Sequence, residues 1–452
     1  MRNEPGVFLA ALIFLACLLG GGGVAYGLPN LVIQIGALIV LAINRPAVFL
    51  FFRKAPRGLT TLVALTLALP LLQLIPLPAS VWQSLPGRSL LRESLAALGP
   101  LPPHPVTVNA ARTLVAFLGL IAPFTVIALA LHGDSRAVQR AKLIFIAMGV
   151  AGVLLGALQL LYAGEGAGLY PEPTNRSVVA GLFANRNSAA IYFVCCLLLL
   201  AGNSTARLVS TSGIAGLAAA ALLVVGVVLT QSRTGLALLL LPVGLFLVRA
   251  VFGWAGAGRE TQGFGALGRT AIAGGLAAAL IALGIGAGAG TLPESRFDAV
   301  MERFNKTTEE RPAIWEDARF SAQRYWPVGA GMGTFDEVFQ IDESLENVTS
   351  RRAGRAHNDY LEIAIEAGAI GLLLIALWSA WVLRSTWTGL GQDRRWDVLG
   401  CTAILLAIAL QSLVDYPLRN QTMLCLAAFA IAVLARAAAR NSPPTASHGS
   451  KS

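Results

Sequence analysis

Long apolar stretches alternate with short polar segments along most of the chain. An α-helix needs roughly 20 mostly apolar residues to cross the hydrocarbon core of a bilayer. Hydropathy therefore predicts an all-α polytopic membrane protein with about 12 transmembrane helices. The predicted spans are 7–27, 31–51, 59–77, 112–131, 141–162, 188–202, 214–230, 235–252, 270–290, 359–383, 397–413 and 422–438.

These spans divide the chain into four parts. Residues 1–290 contain the first nine predicted spans, and residues 357–440 contain the last three. Between them, residues 291–356 form one large loop, and residues 441–452 form a polar tail that we expect to be disordered. Inside the loop, apolar residues recur at helical spacing from Pro312 to Trp326. This spacing predicts a short amphipathic helix lying at the membrane surface.

Composition agrees with a membrane protein. Hydrophobic residues make up 56% of the chain and charged residues 13%, with a mean hydropathy of +0.67. A soluble globular domain carries about 25% charged residues, so the composition excludes that class. The formal net charge of +10 comes largely from short loops, which indicates topological bias rather than nucleic-acid binding. The five cysteines lie in apolar stretches, without the spacing of a disulfide framework or a zinc site.

The basic loops predict an orientation. Lysine and arginine concentrate in the loops on one side of the predicted bundle, and the short loops on the other side carry fewer. The positive-inside rule assigns the richer side to the cytoplasm. Both termini are then cytoplasmic, and the large loop lies outside. We interpret the apolar run Val7–Leu19 as the first span rather than a removed leader, because no small-residue cleavage site follows it.

Five short polar segments all fall on the predicted outer side. They are 181–187, 230–235, 311–315, 357–362 and 415–419. Arg186, Arg233 and Arg311 each lie in one of them, although an arginine at the bilayer centre costs about 2.5–3.5 kcal/mol and usually pairs or lines a wet cavity. Any one of them could reach the lipid headgroups instead. Three in tight polar motifs favour a shared anionic ligand, since guanidinium groups bind phosphate oxygens with two parallel bonds.

His357 precedes a predicted helix and is a candidate proton acceptor. Histidine is the side chain best suited to take a proton near neutral pH, and the alternative is a histidine that only hydrogen-bonds the loop. Asp359 is the predicted N-cap of the helix, with Glu362 as its capping-box partner. No metal-binding or nucleotide-binding motif is present, so we expect no cofactor and no metal.

Together these segments resemble the O-antigen ligase and polymerase superfamily, bacterial glycan-joining enzymes with a Wzy-type C-terminal region. The resemblance covers roughly residues 175–420. The stretches that carry it are Phe183–Asn187, Ser232-Arg233, Arg311–Trp315, Gly329–Phe335 and His357–Gly371, with Asp415–Leu418 as a further feature.

The resemblance implies an activity and a place in the cell. It implies a metal-independent, inverting glycosyltransferase of GT-C-like fold in the bacterial inner membrane, with its active site facing the periplasm. Such an enzyme takes a glycan from undecaprenyl diphosphate during lipopolysaccharide biosynthesis and uses no cofactor. The favoured acceptor is lipid A–core, as for an O-antigen ligase. The alternative is a lipid-linked glycan, as for a polymerase of O-antigen or exopolysaccharide. Its partners are these glycolipids and membrane lipids, without nucleic acid.

The resemblance also implies roles for individual residues. Arg233 and Arg311 match the arginines that bind the diphosphate, with Arg186 assisting, and His357 matches the essential histidine, the expected general base. Supporting roles are expected for Asn185, Asn187, Asn358, Tyr360 and Asp415.

Four questions stay open at the level of sequence. These are the choice between ligase and polymerase, the identity of the sugar and acceptor, the oligomeric state, and whether Asp415 and Arg419 touch substrate or pin the last helices together. A transporter of the lipid-linked glycan is a further alternative. Transporters place polar groups near the membrane midplane, whereas here they gather on one predicted side.

Overall fold

A computed structural model describes residues 5–23, 26–161, 169–170, 178–203, 211–257, 311–348, 352–391 and 394–439. Helices make up most of these ranges. In chain order they are α1 (Pro5–Leu19), α2 (Gly27–Ile43), α3 (Arg45–Lys54), α4 (Arg57–Gln73), α5 (Ala79–Trp82), α6 (Ser89–Ala96), α7 (Ala110–Gly119), α8 (Ile121–His132), α9 (Ser135–Leu161), α10 (Arg186–Ala201), α11 (Thr211–Leu229), α12 (Arg233–Leu238), α13 (Leu240–Ala257), α14 (Arg311–Tyr325), α15 (Phe335–Asp342), α16 (Asp359–Gly389), α17 (Arg395–Gln411) and α18 (Gln421–Ala439). Two short strands, β1 (Pro76–Leu77) and β2 (His104–Pro105), pair antiparallel.

Within these ranges, six helical segments are long and apolar enough to cross a membrane. They are Pro5–Gly22, Ala110–His132, Ser135–Leu161, Arg233–Phe252, Asp359–Gly389 and Gln421–Ala439. Each predicted span overlaps a helix except the ninth, 270–290, which lies outside the described residues. Residues 291–310 of the predicted loop and the predicted tail 441–452 also lie outside them. The helices support a multi-pass membrane protein.

The second predicted span, 31–51, corresponds to two helices that together are long and apolar enough to form one bent span. The chain breaks at Asn44, and α2 and α3 meet at a bend of 79°. Pro46 lies in the first turn of α3 and has no backbone N–H, so the hydrogen-bond ladder of α2 cannot continue through it. The Val40 carbonyl near the end of α2 accepts from both the backbone amide and the side-chain amide of Asn44, each at 2.9 Å.

Helix α18 lies in the middle of the bundle and packs against α1, α8, α16 and α17. Its apolar side chains are buried on nearly all sides, the pattern of a helix surrounded by protein. A glycine is required where α1 ends against it, because a Cβ on Gly20 would lie 2.7 Å from the Thr422 backbone nitrogen. The Thr422 hydroxyl donates to the Ala16 carbonyl at 2.8 Å, so the two helices join at this level.

The predicted helix Pro312–Trp326 is confirmed as α14, with bounds Arg311–Tyr325 and Pro312 in its first turn. Its Ala318 and Tyr325 pack into an apolar cluster separate from the bundle core. The other buried members of that cluster are Ala330, Phe335, Val338, Phe339, Ala356 and Ile365. The loop segments around α14 and α15 therefore form a cap with its own core on the end of α16.

Helix α16 is interrupted at Gly368, and the cap forms hydrogen bonds to the backbone groups that this interruption leaves free. Gly368 has non-helical dihedral angles, φ 56° and ψ −143°, so the carbonyls one turn earlier lose their helical donors. The backbone amides of Ala330 and Gly331 donate to the carbonyls of Ile365 and Glu366 at 2.8 and 2.9 Å. A Cβ at position 368 would lie 2.0 Å from the Pro327 oxygen, so only glycine fits.

Arg88 fixes the strand pair to the same cap. The guanidinium is 1% exposed and donates to the backbone carbonyls of Pro86, Val106 and Gly329. Its Cζ atom lies 5.2 Å from the centroid of the Tyr325 ring. Burial lowers the pKa of Arg88 to about 10, despite the opposing effect of Tyr325. The group therefore stays charged at neutral pH and binds carbonyl oxygens from three chain segments.

Candidate active site

A cavity of about 790 Å³ lies between the cap and the end of the bundle where α18 begins. Its volume falls in the range of small-molecule pockets. Its lining comes from Gly22 and Gly23, from Arg112, from α14 and α15 with the segments that follow α15, from residues 352–357, and from Tyr416 and Arg419. Segments that are hundreds of residues apart in sequence therefore meet at one place.

His357 lines this cavity and is held by Asp415. The distance between His357 Nδ1 and Asp415 Oδ1 is 3.2 Å, and the Asp415 residue is 2% exposed. With Nδ1–H donating to the carboxylate, Nε2 is the ring nitrogen that can accept a proton. The Tyr416 ring packs on the imidazole with centroids 5.0 Å apart. The pair forms a proton acceptor with a fixed orientation.

The backbone of His357 is itself unusual. Its φ is 50°, a conformation that residues other than glycine adopt infrequently and that often marks functional sites. The neighbouring contacts hold it there: the Ala356 amide donates to Glu362 Oε1 at 3.0 Å, and the Asp359 amide donates to the Ser412 carbonyl at 2.9 Å. His357 is therefore held at the turn that leads into α16.

The predicted capping of α16 is wrong by one residue. Asn358 is the N-cap, and its side chain accepts from the Leu361 amide at 3.0 Å. Asn358 has extended backbone angles, φ −159° and ψ 104°, which direct its side chain over the free amides of the first turn. Asp359 is instead the first helical residue and is buried, and Glu362 is buried with other partners rather than completing a capping box.

Three carboxylates on one face of α16 bind a single guanidinium. Arg419 contacts Asp359 at 3.2 Å, Glu362 at 3.1 Å and Glu366 at 2.9 Å. These residues are three and four positions apart, so they share one face of the helix. Burial alone lowers the pKa of Arg419, but Glu366, Glu362 and Asp359 together raise it above its ordinary value. Arg419 thus pins α16 to the segment before α18 and also lines the cavity.

Tyr416 links the histidine to the start of α10. Asn185 donates its side-chain amide to the Tyr416 hydroxyl at 3.3 Å, and its Oδ1 caps α10 by accepting from the Asn187 amide at 2.8 Å. Burial raises the pKa of Tyr416 to about 12, and the neighbouring Asp415 acts in the same direction. The hydroxyl therefore stays protonated at neutral pH.

The three predicted phosphate-binding arginines each lie at the first residue of a helix. Arg186 begins α10 directly after Asn185, and Arg311 begins α14, whose Trp315 donates to the Ala356 carbonyl at 2.8 Å. Arg233 begins α12, which packs on α10. Among the described residues that line the cavity, these three arginines are absent.

Two predicted supporting residues have other contacts. Tyr360 donates its hydroxyl to the Ala409 carbonyl of α17 at 3.0 Å, and Asn358 serves as the helix cap described above. Among the arginines that line the cavity, three were not predicted as site residues from the sequence: Arg112, Arg352 and Arg355. For the last two, a signal was present in the basic run at 351–355, just before His357. Arg112 had none, since its partner Glu337 lies 225 residues away.

A sequence model of the O-antigen ligase family matches residues 218–376, which confirms the resemblance to the O-antigen ligase and polymerase superfamily. The matched region includes Arg233, Arg311 and His357 and ends before Asp415. No curated protein matches the chain. In the part of the chain that the structure describes, no group of three or more histidine, cysteine or acidic side chains could hold a metal ion.

Proposed function

We propose that this chain, a multi-pass membrane enzyme of the O-antigen ligase and polymerase type, transfers a glycan from undecaprenyl diphosphate to an acceptor hydroxyl. The acceptor that we favour is lipid A–core, which makes the enzyme an O-antigen ligase. The observation that supports this most is the pairing of His357 with buried Asp415 at the wall of a cavity. A base with a fixed orientation next to a ligand-sized space is what activation of a hydroxyl requires.

The proposed reaction is a single displacement at the anomeric carbon. The acceptor oxygen attacks that carbon while its proton moves to Nε2 of His357, which must lie within about 3 Å of it. The bond from the anomeric carbon to the phosphate oxygen breaks, and undecaprenyl diphosphate leaves with the electron pair. One displacement inverts the configuration at this carbon. No metal or cofactor takes part in these steps.

Arginines stabilise the charge that develops on the departing diphosphate. Arg186 and Arg311 begin helices whose neighbouring residues contact Tyr416 and Ala356, on either side of His357. We include Arg233 among these arginines because it begins α12, which packs on α10. Guanidinium groups that are already in position lower the barrier without reorganising during the reaction. Asn185 and Asn187 orient the start of α10 for this role.

Asp415 acts as a positioning residue. Its carboxylate holds the imidazole in the tautomer with a free Nε2 and stabilises the imidazolium that forms, as the acidic member of a catalytic triad does. Its own position is fixed by Gln411, which donates to Asp415 Oδ2 at 3.5 Å.

We place the cavity on the periplasmic side of the inner membrane, with both termini in the cytoplasm. The charge distribution of the loops supports this orientation. Residues 291–356 then form the large periplasmic loop, between the spans of residues 1–290 and those of 357–440.

Polymerisation is the second candidate function, since the same site accepts a lipid-linked glycan equally well. A transporter is less well supported, because the ionisable groups around His357 cluster at the start of α16 and α18 rather than halfway along them.

Glycan transfer in a deletion strain tests the proposal. The strain is complemented with wild type, His357→Ala, Asp415→Asn or Arg311→Ala, and His104→Ala serves as the matched control because His104 does not line the cavity. Loss of the base should lower transfer by roughly 10²–10⁴-fold at equal membrane levels. Full transfer by His357→Ala would contradict the assignment of the base.

The same strain separates ligase from polymerase. If deletion abolishes glycan on lipid A–core while lipid-linked polymer accumulates, the enzyme is a ligase. If only single lipid-linked repeat units remain, it is a polymerase.

A further inference from the structure

The cavity that His357 lines carries no excess of positive charge. Its lining contains four arginines, Arg112, Arg352, Arg355 and Arg419, and four acidic residues, Asp317, Asp336, Glu343 and Glu346. The formal charge of these ionised side chains is therefore zero. A pocket that binds a diphosphate without a metal ion requires an excess of cationic groups.

Each of the four arginines already has a carboxylate partner. Arg112 contacts Glu337 at 2.6 Å, and Arg352 makes two bonds to Asp336, at 2.9 and 2.6 Å. Arg355 bonds to Glu362 at 3.0 Å, and Arg419 binds the three carboxylates of α16. An anionic ligand would have to compete with these carboxylates for every guanidinium group.

Two carboxylates on the cavity wall are not neutralised in this way. Glu343 and Glu346 follow α15, and in the described ranges their side chains have neither a hydrogen-bond nor an ion-pair partner. Asp317 on the same wall differs, because it accepts from the Ser344 amide at 3.1 Å and from Asn347 at 3.0 Å. The part of the cavity wall that Glu343 and Glu346 form therefore repels anions and offers hydrogen-bond acceptors to hydroxyl groups.

We propose that this cavity is the acceptor subsite and that it selects an uncharged sugar end over a phosphorylated one. This inference rests on the proposed function, in which His357 must reach the acceptor hydroxyl. The donor diphosphate then binds outside the cavity, at Arg186, Arg233 and Arg311. Separate subsites keep the anionic donor away from Glu343 and Glu346, and like-charge repulsion supplies the discrimination against a phosphate on the acceptor.

A competition assay with purified full-length protein tests this selectivity. The acceptor glycolipid is extracted from the deletion strain, and half is chemically phosphorylated to about one phosphate per glycan. Equal amounts of the two preparations compete for the lipid-linked donor. Mass spectrometry scores products with a phosphate on the accepting sugar or its neighbour, and the product ratio gives the ratio of kcat/KM.

Wild type should use the phosphorylated acceptor at least ~10-fold less well, and Glu343→Gln/Glu346→Gln should reduce that preference at least ~3-fold. The matched control is Glu93→Gln/Glu316→Gln, which removes two exposed charges outside the cavity and should keep the wild-type preference. A purely steric block would be the same in all three proteins.

Two results would overturn the inference alone: equal use of both acceptors by wild type, or an unchanged preference in Glu343→Gln/Glu346→Gln. Absence of transfer to the unmodified acceptor by wild type would contradict the proposed function and, with it, the inference.

Discussion

The two ends of α18 are both rich in arginine, but they use it differently. We call the end near Tyr416 the His357 end and the end near Arg436 the Lys142 end; about 28 Å of helix separates them. At the Lys142 end, Arg436 donates to the carbonyls of Ala130 and Leu131, in the last turn of α8. Arg249 donates to the carbonyls of Ala201 and Asn203, where α10 ends. These arginines satisfy carbonyls that a helix terminus leaves without donors.

At the His357 end, arginines bind carboxylates around open space. The cavity there measures about 790 Å³, whereas the space beside the buried Lys142–Asp397 pair is about 30 Å³. The comparison teaches that a count of basic residues does not locate a site in a membrane protein. What distinguishes the His357 end is that its charged side chains border open space, whereas the Lys142–Asp397 pair is enclosed.

The largest loss of stability should follow from removing the guanidinium of Arg419, which pairs with three carboxylates of α16. Arg419→Met leaves Asp359, Glu362 and Glu366 buried without their shared cation. Breaking a buried ion pair from one side costs roughly 3–5 kcal/mol, and three carboxylates place this substitution at about 5 kcal/mol. Thermal unfolding in detergent should show a large loss of stability. An unfolding midpoint close to that of wild type would mean that the cluster does not hold the His357 end together.

The matching substitution at the Lys142 end should destabilise the protein less, and a second substitution should restore the lost stability. Lys142→Met leaves one buried carboxylate, that of Asp397, and should cost about 3 kcal/mol. Lys142→Met/Asp397→Leu removes both charges and should recover most of the lost stability, since replacing a buried pair by apolar side chains is often neutral. Glycan transfer by the double variant should equal that of wild type. A large loss of transfer at normal stability would show that the Lys142 end takes part in function.

The smallest effect distinguishes an N-cap role of Asn358 from a contact between Asn358 and substrate. Asn358→Ala should destabilise the protein by about 1 kcal/mol, the usual cost of losing an N-cap, and Asn358→Ser should restore it. Transfer per folded molecule should stay within about threefold of wild type. If transfer falls far more than stability, and Asn358→Ser does not rescue it, Asn358 contacts substrate.

Among the described residues, the long apolar helices were predictable from sequence, because burial in lipid or protein demands long apolar runs. Interruptions within helices were harder to predict. The bend at Asn44 has a readable signal in Pro46, which has no backbone N–H and so removes a hydrogen bond from a helical ladder. Gly368 has no comparable signal, since its backbone angles are set by the distant Pro327.

The site was predictable only where its residues are clustered in sequence. His357 and Asp415 were singled out from short polar segments, and the structure brings them within 3.2 Å. The pairing of Arg112 with Glu337 and of Arg419 with three carboxylates depends on tertiary contacts that no local pattern encodes. Arg352 and Arg355 differ from Arg112, because they lie in a basic run and their partners Asp336 and Glu362 are 16 and 7 residues away.

The break at Gly368 constrains how this protein can be rearranged. The backbone amides of residues 330–331 donate to the carbonyls of residues 365–366. The turn at 329–333 and helix α16 must therefore come from the same parent sequence. A chimera that takes its loop from one parent and its following span from another separates donors from acceptors at the junction. We therefore expect functional chimeras to keep the whole segment from Pro327 to Ala369 from one parent. A grafted loop that ends before Gly368 should give an unstable protein, because buried carbonyls lose their donors.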